Sequence, residues 1–335
     1  MRIYISGNKG FSLIEVMTTL VLGLVVMLMV VQLFINAKNN HVQNNRIAET
    51  LESGRYALRV LSTDLKEAGF MGGIIDPTTI SVDTSLDAPA TNCGTSSETN
   101  WAYDVTTYRY LQFDNAATSN TNHVCVDSTH FVSGTDILAV KRVYNQPLDP
   151  TASPNPLTSN KIYLRSDYNT ACLWYYDGSS TSPSGSNCPT TGVYDWKYLT
   201  NVYYIRDYAT SSSDGIPTLC RESLDGSATG PNMSELCLAE GVEQFHIMFG
   251  IDTDTPQDGV ANKFESSPSA NDLSTRVVSA RIYVLARAKQ EDSTFKNTKT
   301  YHLGDRSITV NDNYYRRLYS TTVLLRNPTY AAAFQ

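Results

Sequence analysis

Charge is scarce in this 335-residue sequence: Lys, Arg, Asp and Glu make up only 18 % of it. The balance is acidic, with a formal net charge of -7, and no basic cluster interrupts it. Such a chain repels phosphate, so nucleic acid is not an expected partner. No two cysteines stand at C-x-x-C spacing, and none joins a Cys/His group of the kind that holds zinc. The histidines, His41, His123, His130, His246 and His302, never reach the H-x-x-x-H spacing of a metalloprotease helix. A G-x-S-x-G elbow, a phosphate-binding glycine loop and a dinucleotide fingerprint are likewise missing. The usual sequence marks of an enzyme are therefore absent, and a non-catalytic role is the expectation.

What the chain has instead is 21 Tyr and long stretches of Ser, Thr, Asn and Asp, a polar but uncharged surface typical of proteins outside the cytoplasm. Its 6 cysteines, Cys93, Cys125, Cys172, Cys188, Cys220 and Cys237, all follow the apolar N-terminal segment. An even count in loop-rich sequence favours disulfides formed in an oxidising compartment. Many pairings are open; the nearest-neighbour scheme, Cys93 with Cys125, Cys172 with Cys188 and Cys220 with Cys237, is the simplest. Trp101, Trp174 and Trp196, with the Tyr-rich strands, could form a carbohydrate-binding face, although core and sheet packing is the commoner use of such residues. His246, between Phe245 and Ile247, reads as a structural histidine rather than a ligand.

The N-terminus sets the topology. From Val16 to Ile35 no residue is charged, and at about 1.5 Å per residue the run crosses a hydrocarbon core of roughly 30 Å. Arg2 and Lys9 precede it and no acid falls among the first residues. The N-terminus should stay cytoplasmic and everything beyond Lys38 should cross the inner membrane, in agreement with the cysteines. A cleaved secretory signal would have a shorter apolar region and a small-residue site after it, whereas here the small residue, Gly10, stands in front. One acid, Glu15, sits inside the run. A carboxylate in a membrane span is costly and normally has a partner.

Past the membrane the helix should continue to about Ala68. Ile47, Leu51, Leu58, Leu61 and Leu65 recur at helical spacing as one apolar stripe, and Gly69 with Gly72 and Gly73 supplies the stop. The remainder reads as β-rich, with strands expected at 105–113, 137–143, 161–165, 173–176, 202–206, 242–250, 277–288 and 318–325. Polar stretches near 76–100, 145–160, 177–192, 209–232 and 252–275 are expected to be loops. One of them, "DTDTPQDG", brings Asp252, Asp254 and Asp258 together. Calcium wants roughly six to eight oxygens, and the spacing departs from a compact D-x-D-x-D-G loop, so a solvated turn is the preferred reading and calcium the lesser one.

"GFSLIE", Gly10 to Glu15, resembles the type IV prepilin leader motif. The resemblance implies cleavage after Gly10 by a prepilin peptidase, N-methylation of the new terminus at Phe11, and pairing of Glu15 with a neighbouring subunit's Phe11 amine in an assembled fibre. "ESGRYALRVLSTDLKEAGFMGG" (52–73), "GVEQFHIMFGIDTD" (241–254), the strand bearing Arg281 and "TTVLLRN" (321–327) are similar to the PilW family of minor pilins, relatives of pseudopilin J of type II secretion. The implied fold is α+β and type IV pilin-like. It has a leader at 1–10, an N-terminal helix at 11–70 with its transmembrane half at 11–35, and a β-rich head at 71–335. The implied role is a non-catalytic subunit that primes a type IV pilus and enters it near the tip, as in fibres used for twitching motility. Its partners would be other minor pilins, the major pilin and a tip adhesin. A secretion pseudopilin is the nearest alternative. A membrane-anchored periplasmic binding protein or enzyme with an accidental leader match is the alternative from another class.

Overall fold

A computed structural model describes residues 10–327, apart from 85, 96, 106–109, 155, 180–181 and 228–229. Internal contacts divide the chain into one unit up to Glu49 and a second from Thr50 onward. Helix α1, Leu13–Glu67, is 55 residues long and contributes to both. Proline is absent from it, and the polar side chains of its first turns close locally: Thr18 Oγ1 donates to the Glu15 carbonyl at 3.0 Å and Thr19 Oγ1 to the same oxygen at 2.9 Å. Such back-bonding satisfies a hydroxyl where no water is at hand.

In the second unit α1 buries Thr50, Gly54, Ala57, Leu61, Asp64 and Leu65. Steps of three and four put them on one face. This face is rotated from the expected stripe: Leu61 and Leu65 are fully buried, but Ile47 is 41 % exposed and Leu51 and Leu58 are half-buried. Small residues decide the rotation, because they let the sheet come close. At Gly54 the Tyr319 ring occupies the place a Cβ would take. The helix ends where Gly69 turns to φ +73, a left-handed conformation that favours glycine. Its N–H then donates to the Lys141 carbonyl at 3.1 Å.

The larger sheet is organised by one long strand, β6. Strand β1 (Ile80–Val82) pairs in parallel with β5 (Ala171–Tyr176), and β5 with β4 (Lys161–Ser166). β4 then pairs with the first residues of β6 (Tyr194–Arg206), while β7 (Thr218–Ser227) takes up the later ones and leads to β8 (Gly230–Glu240). On the opposite edge of β6 lies β3 (Thr135–Val143), followed by β2 (Leu111–Ala117). The second sheet is antiparallel, in the order β10 (Lys263–Glu265), β9 (Val242–Ile251), β11 (Val277–Arg287) and β14 (Arg316–Leu324). A six-residue helix, α2 (Ala270–Thr275), precedes β11, its first turn capped by Ser269 Oγ, which accepts from Asp272 N at 3.1 Å. A two-stranded arm, β12 (Thr300–Leu303) with β13 (Arg306–Thr309), lies between β11 and β14.

Ala57, Leu61 and Leu65 of the helix share one core with Ile137, Val202 and Ile205 of the larger sheet and Phe245, Ile247 and Ile282 of the smaller. Several expectations need correction: the stretches at 76–100 and 252–275, expected to be loops, contain β1, and β10 with α2. Residues 218–227, inside a stretch expected to be loop, form β7, and β8 begins before that stretch ends. Their polar alternation hides the strands, and the Cys220–Cys237 bond clamps the ladder. The strand expected at 105–113 starts only at Leu111, behind a 3-10 turn at Trp101–Tyr103; 106–109 lie outside the described residues.

Asp64 is the polar member of the buried helix face. Its Oδ1 accepts from Arg142 Nε at 3.1 Å and Nη2 at 2.8 Å, and its Oδ2 from Asn201 Nδ2 at 2.6 Å and Tyr203 Oη at 2.5 Å. Asp64→Ala should lower the unfolding free energy by about 3–5 kcal/mol, because it leaves Arg142 buried beside a void. Chemical denaturation of the detergent-solubilised chain, compared with exposed Glu52→Ala as control, measures it.

Candidate functional site

The first candidate site is the N-terminal end of α1. Gly10 and Phe11 precede the helix, and Phe11 is 82 % exposed. Ser12 starts the helix: its carbonyl accepts the N–H of Glu15 at 3.0 Å and of Val16 at 3.1 Å. Glu15 therefore lies in the first helical turn, where the positive end of the helix dipole favours a carboxylate. Beyond it the apolar side chains are exposed on every side: Leu20, Leu24, Met27, Val31 and Phe34 among them. An apolar window of mean hydropathy 2.5 with none of it buried has the length and composition of a membrane span. A helix apolar all round needs lipid or other helices to cover it.

The head contributes no reactive constellation among the described residues. Its cysteines are bonded in sequence order, Cys93–Cys125, Cys172–Cys188 and Cys220–Cys237. The first ties a loop to the edge beside β2, the second closes the turn after β5, and the third bridges β7 and β8. The three tryptophans are 1 %, 2 % and 6 % exposed for Trp101, Trp174 and Trp196. They are core residues, not a stacking platform.

The structure brings Asp252, Asp254 and Asp258 together, with one oxygen of each within 4.8 Å of the others. Every carboxylate is already engaged in the turn. Asp252 accepts the N–H of Asp254 at 3.0 Å and of Gly259 at 2.7 Å, Asp254 accepts Asn262 Nδ2 at 3.2 Å, and Asp258 accepts the N–H of Val260 at 2.8 Å. Calcium would need these oxygens released from their N–H partners and supplemented by carbonyls or water. The donor set fits a hydrogen-bonded turn better than an ion site.

Sequence reasoning missed two charged clusters, one joining the two sheets and one tying α1 to the larger sheet. His246 is fully buried, with Nδ1 2.8 Å from Asp136 Oδ2 and Nε2 2.7 Å from Asp305 Oδ1. Asp305 lies in the turn of the β12–β13 arm and Arg306 opens β13, where its Nη2 reaches Asp136 Oδ1 at 2.7 Å. His246 is thus the structural residue that pins the arm to β3 and β9. The second cluster is that around Asp64. Arg142 also grips Glu67 through Nη1 at 2.6 Å, and Ser223 Oγ donates to Asn201 Oδ1 at 2.8 Å, which extends the network to β7. Burial, with Asp64 beside it, pushes the Tyr203 phenol well above its usual range, so it stays a donor. The only sequence signal was an acid falling on the apolar face between Leu61 and Leu65.

With this geometry in view, comparison with known families is specific. A model of the prokaryotic N-terminal methylation motif matches residues 5–31. It defines the class: a pilin-like protein whose first helix follows a prepilin leader. A model of type IV pilus-assembly protein W matches residues 202–327, from the middle of β6 through the whole second sheet. Together the two matches support a type IV pilus minor pilin of the PilW family. The helix-end segment 52–73 lies outside both, and no curated protein or solved structure matches the chain. Association with a type IV pilus implies pilin partners and makes the chain a substrate of prepilin peptidase.

One strand pair carries a proton at neutral pH. Glu222 of β7 stands directly opposite Glu235 of β8. Burial, and then the Glu235 charge, push the Glu222 carboxyl up from 4.5 to about 7. Between those values the folded chain keeps a proton that the unfolded chain releases, so this group's contribution falls as pH rises and is fully unfavourable above about 7. Glu222→Gln should therefore raise the melting temperature at about pH 8 and change it little at about pH 4. Thermal melts across that range decide it.

Proposed function

We propose that this chain is a minor pilin that helps to prime assembly of a type IV pilus and is incorporated near its tip, as a structural and non-catalytic subunit. The observation that carries the reading is the position of Glu15, exposed in the first turn of an otherwise uncovered apolar helix and five residues after Gly10. Prepilin peptidase would cut after Gly10 and methylate the Phe11 amine. That amine is mostly cationic near neutral pH. The Glu15 carboxylate of one subunit and the Phe11 amine of the next then attract by roughly 4 kcal/mol, for unit charges about 4 Å apart at an effective dielectric near 20, before desolvation is subtracted.

Before assembly the helix would anchor the chain in the inner membrane with its N-terminus cytoplasmic and its head periplasmic. Arg2 and Lys9 on one side and three disulfides on the other support that orientation. Other minor pilins, the major pilin and a tip adhesin are the proposed partners. A secretion pseudopilin would share the leader and differ in partner set, and the match to pilus-assembly protein W favours the pilus.

Gly10→Leu should leave an uncut chain in the membrane, and intact mass of the parent should show a methylated N-terminus at Phe11. Cleavage near Ala37 instead would overturn the reading. Glu15→Val should insert at least as well as the parent, since the lone helix becomes more apolar, yet lose recovery of partner pilins and surface pili. A docking loss of about 1.4 kcal/mol is tenfold. Normal partner recovery and normal piliation would show the acid to be a passenger.

For the Asp252 turn the reading is that no ion is required. Millimolar calcium should leave the melting temperature of the chelator-treated protein where it was, because a ligand raises it only by binding the folded state. A calcium-dependent rise that Asp258→Asn abolishes would reinstate calcium.

A further inference from the structure

A cleft of about 560 Å³ opens in the head between the Cys93–Cys125 loop, β2 and α2. Its volume is that of a small-molecule site, roughly 300–1,000 Å³. Leu111, Phe113 and Leu273 give it an apolar floor, and Gln112, Asn122 and Asn271 line it with carboxamides.

The walls are held before any ligand arrives. The Cys93–Cys125 bond brackets the loop, and Trp101 Nε1 donates to Gln112 Oε1 at 2.8 Å. Buried Lys141 lies 4.3 Å from the Trp101 ring centre and donates to the Trp101 and Asp104 carbonyls. On the α2 side, Tyr110 Oη donates to the Ser274 carbonyl at 3.0 Å.

The lining also says which ligands it suits. Among the described residues no Lys or Arg lines the cleft, so none of them offers an anionic ligand a counter-charge. Its two carboxylates are committed. Glu98 Oε2 accepts the Thr95 N–H at 3.0 Å and hydroxyl at 3.1 Å. Asp114 accepts Asn122 Nδ2 at 3.1 Å and faces His123 Nε2 at 3.6 Å. A cation would have to displace these contacts. The groups without a partner among the described residues are neutral: the Gln112 amide nitrogen, Asn122 Oδ1 and the whole Asn271 carboxamide. His123, 1 % exposed in the cleft wall, has a buried Nδ1 outside full hydrogen-bond geometry, with the Cys93 backbone close enough to act on the ring. Burial holds its ring towards the neutral form.

We propose that this cleft binds a neutral sugar, its hydroxyls exchanging hydrogen bonds with Gln112, Asn122 and Asn271. A hydroxyl both donates and accepts, which matches uncommitted carboxamides better than either ionic class does. This binding is independent of the pilus reading, since it needs only the folded head.

Saturation-transfer NMR on the detergent-solubilised chain tests it, with glucose, galactose and N-acetylglucosamine as neutral probes and sialyllactose as the anionic one. At least one neutral sugar should receive saturation and sialyllactose none. Asn271→Ala should weaken that binding by about tenfold or less, the worth of a hydrogen bond in such a site. Its melting curve should match the parent, because this exposed carboxamide holds nothing in place. Asn271→Trp, which fills the cleft, should abolish binding. No transfer to any neutral sugar, binding indifferent to both substitutions, or preference for sialyllactose would each overturn the proposal.

Discussion

The head depends on a single buried carboxylate. Asp64 sits on the face of α1 that enters the core, and each of its oxygens accepts two hydrogen bonds from the larger sheet. A carboxylate removed from water without partners would cost several kcal/mol. Here Arg142 neutralises it, while Asn201 and Tyr203 satisfy the remaining lone pairs. Hydrophobic contacts at Leu61 and Leu65 would permit the helix to slide or rotate against the sheet. Four directed hydrogen bonds from β3 and β6 permit one register only, and they act together with the small residues on that face to set the rotation of α1. A buried ion pair of this kind adds less to stability than to uniqueness.

The same device joins the second sheet. His246 of β9 lies between Asp136 of β3 and Asp305 of the β12–β13 arm, with Arg306 closing the group from the arm side. Remove the arm and a buried imidazole and a buried carboxylate each lose a partner, so the arm is bound to the core although few of its own residues enter it. The disulfides do complementary work. Each closes a short loop onto a buried strand or the core beside it, and in the chain-entropy account a closed loop of this size is worth on the order of 3 kcal/mol.

What was legible in the sequence follows the range of the interactions. The leader and membrane span are local patterns, with Gly10, Phe11 and Glu15 within six residues, and need no tertiary knowledge. Strands 137–143, 242–250 and 277–288 were readable because they are apolar on at least one face. β7 and β8 were not, because their residues alternate between polar and merely less polar, and they owe their pairing to β6 and to Cys220–Cys237. The Asp64 and His246 clusters were invisible for another reason. Asp64 and Arg142 are 78 residues apart, and His246 and Asp136 are 110 apart. Periodicity over a short window carries no trace of such a pairing, and the face of a helix chosen by a long-range salt bridge overrides the face chosen by its leucines.

The two ends of the chain thus solve opposite solvation problems. Around Glu15 the helix offers apolar surface in every direction and one acid, so its covering must come from lipid or from other helices. In the head several acids are matched internally, by Arg142, Arg206, Arg306 or Arg316 or by the N–H groups of tight turns, although acids still outnumber bases there. On the proposed readings, recognition in the cleft would rest on neutral hydrogen-bonding groups and shape, whose strength varies little with salt, whereas docking of the helix would rest on a charge pair in a medium where screening is weak. A subunit built this way can assemble in one environment and make contacts in another without either set of interactions competing with the other.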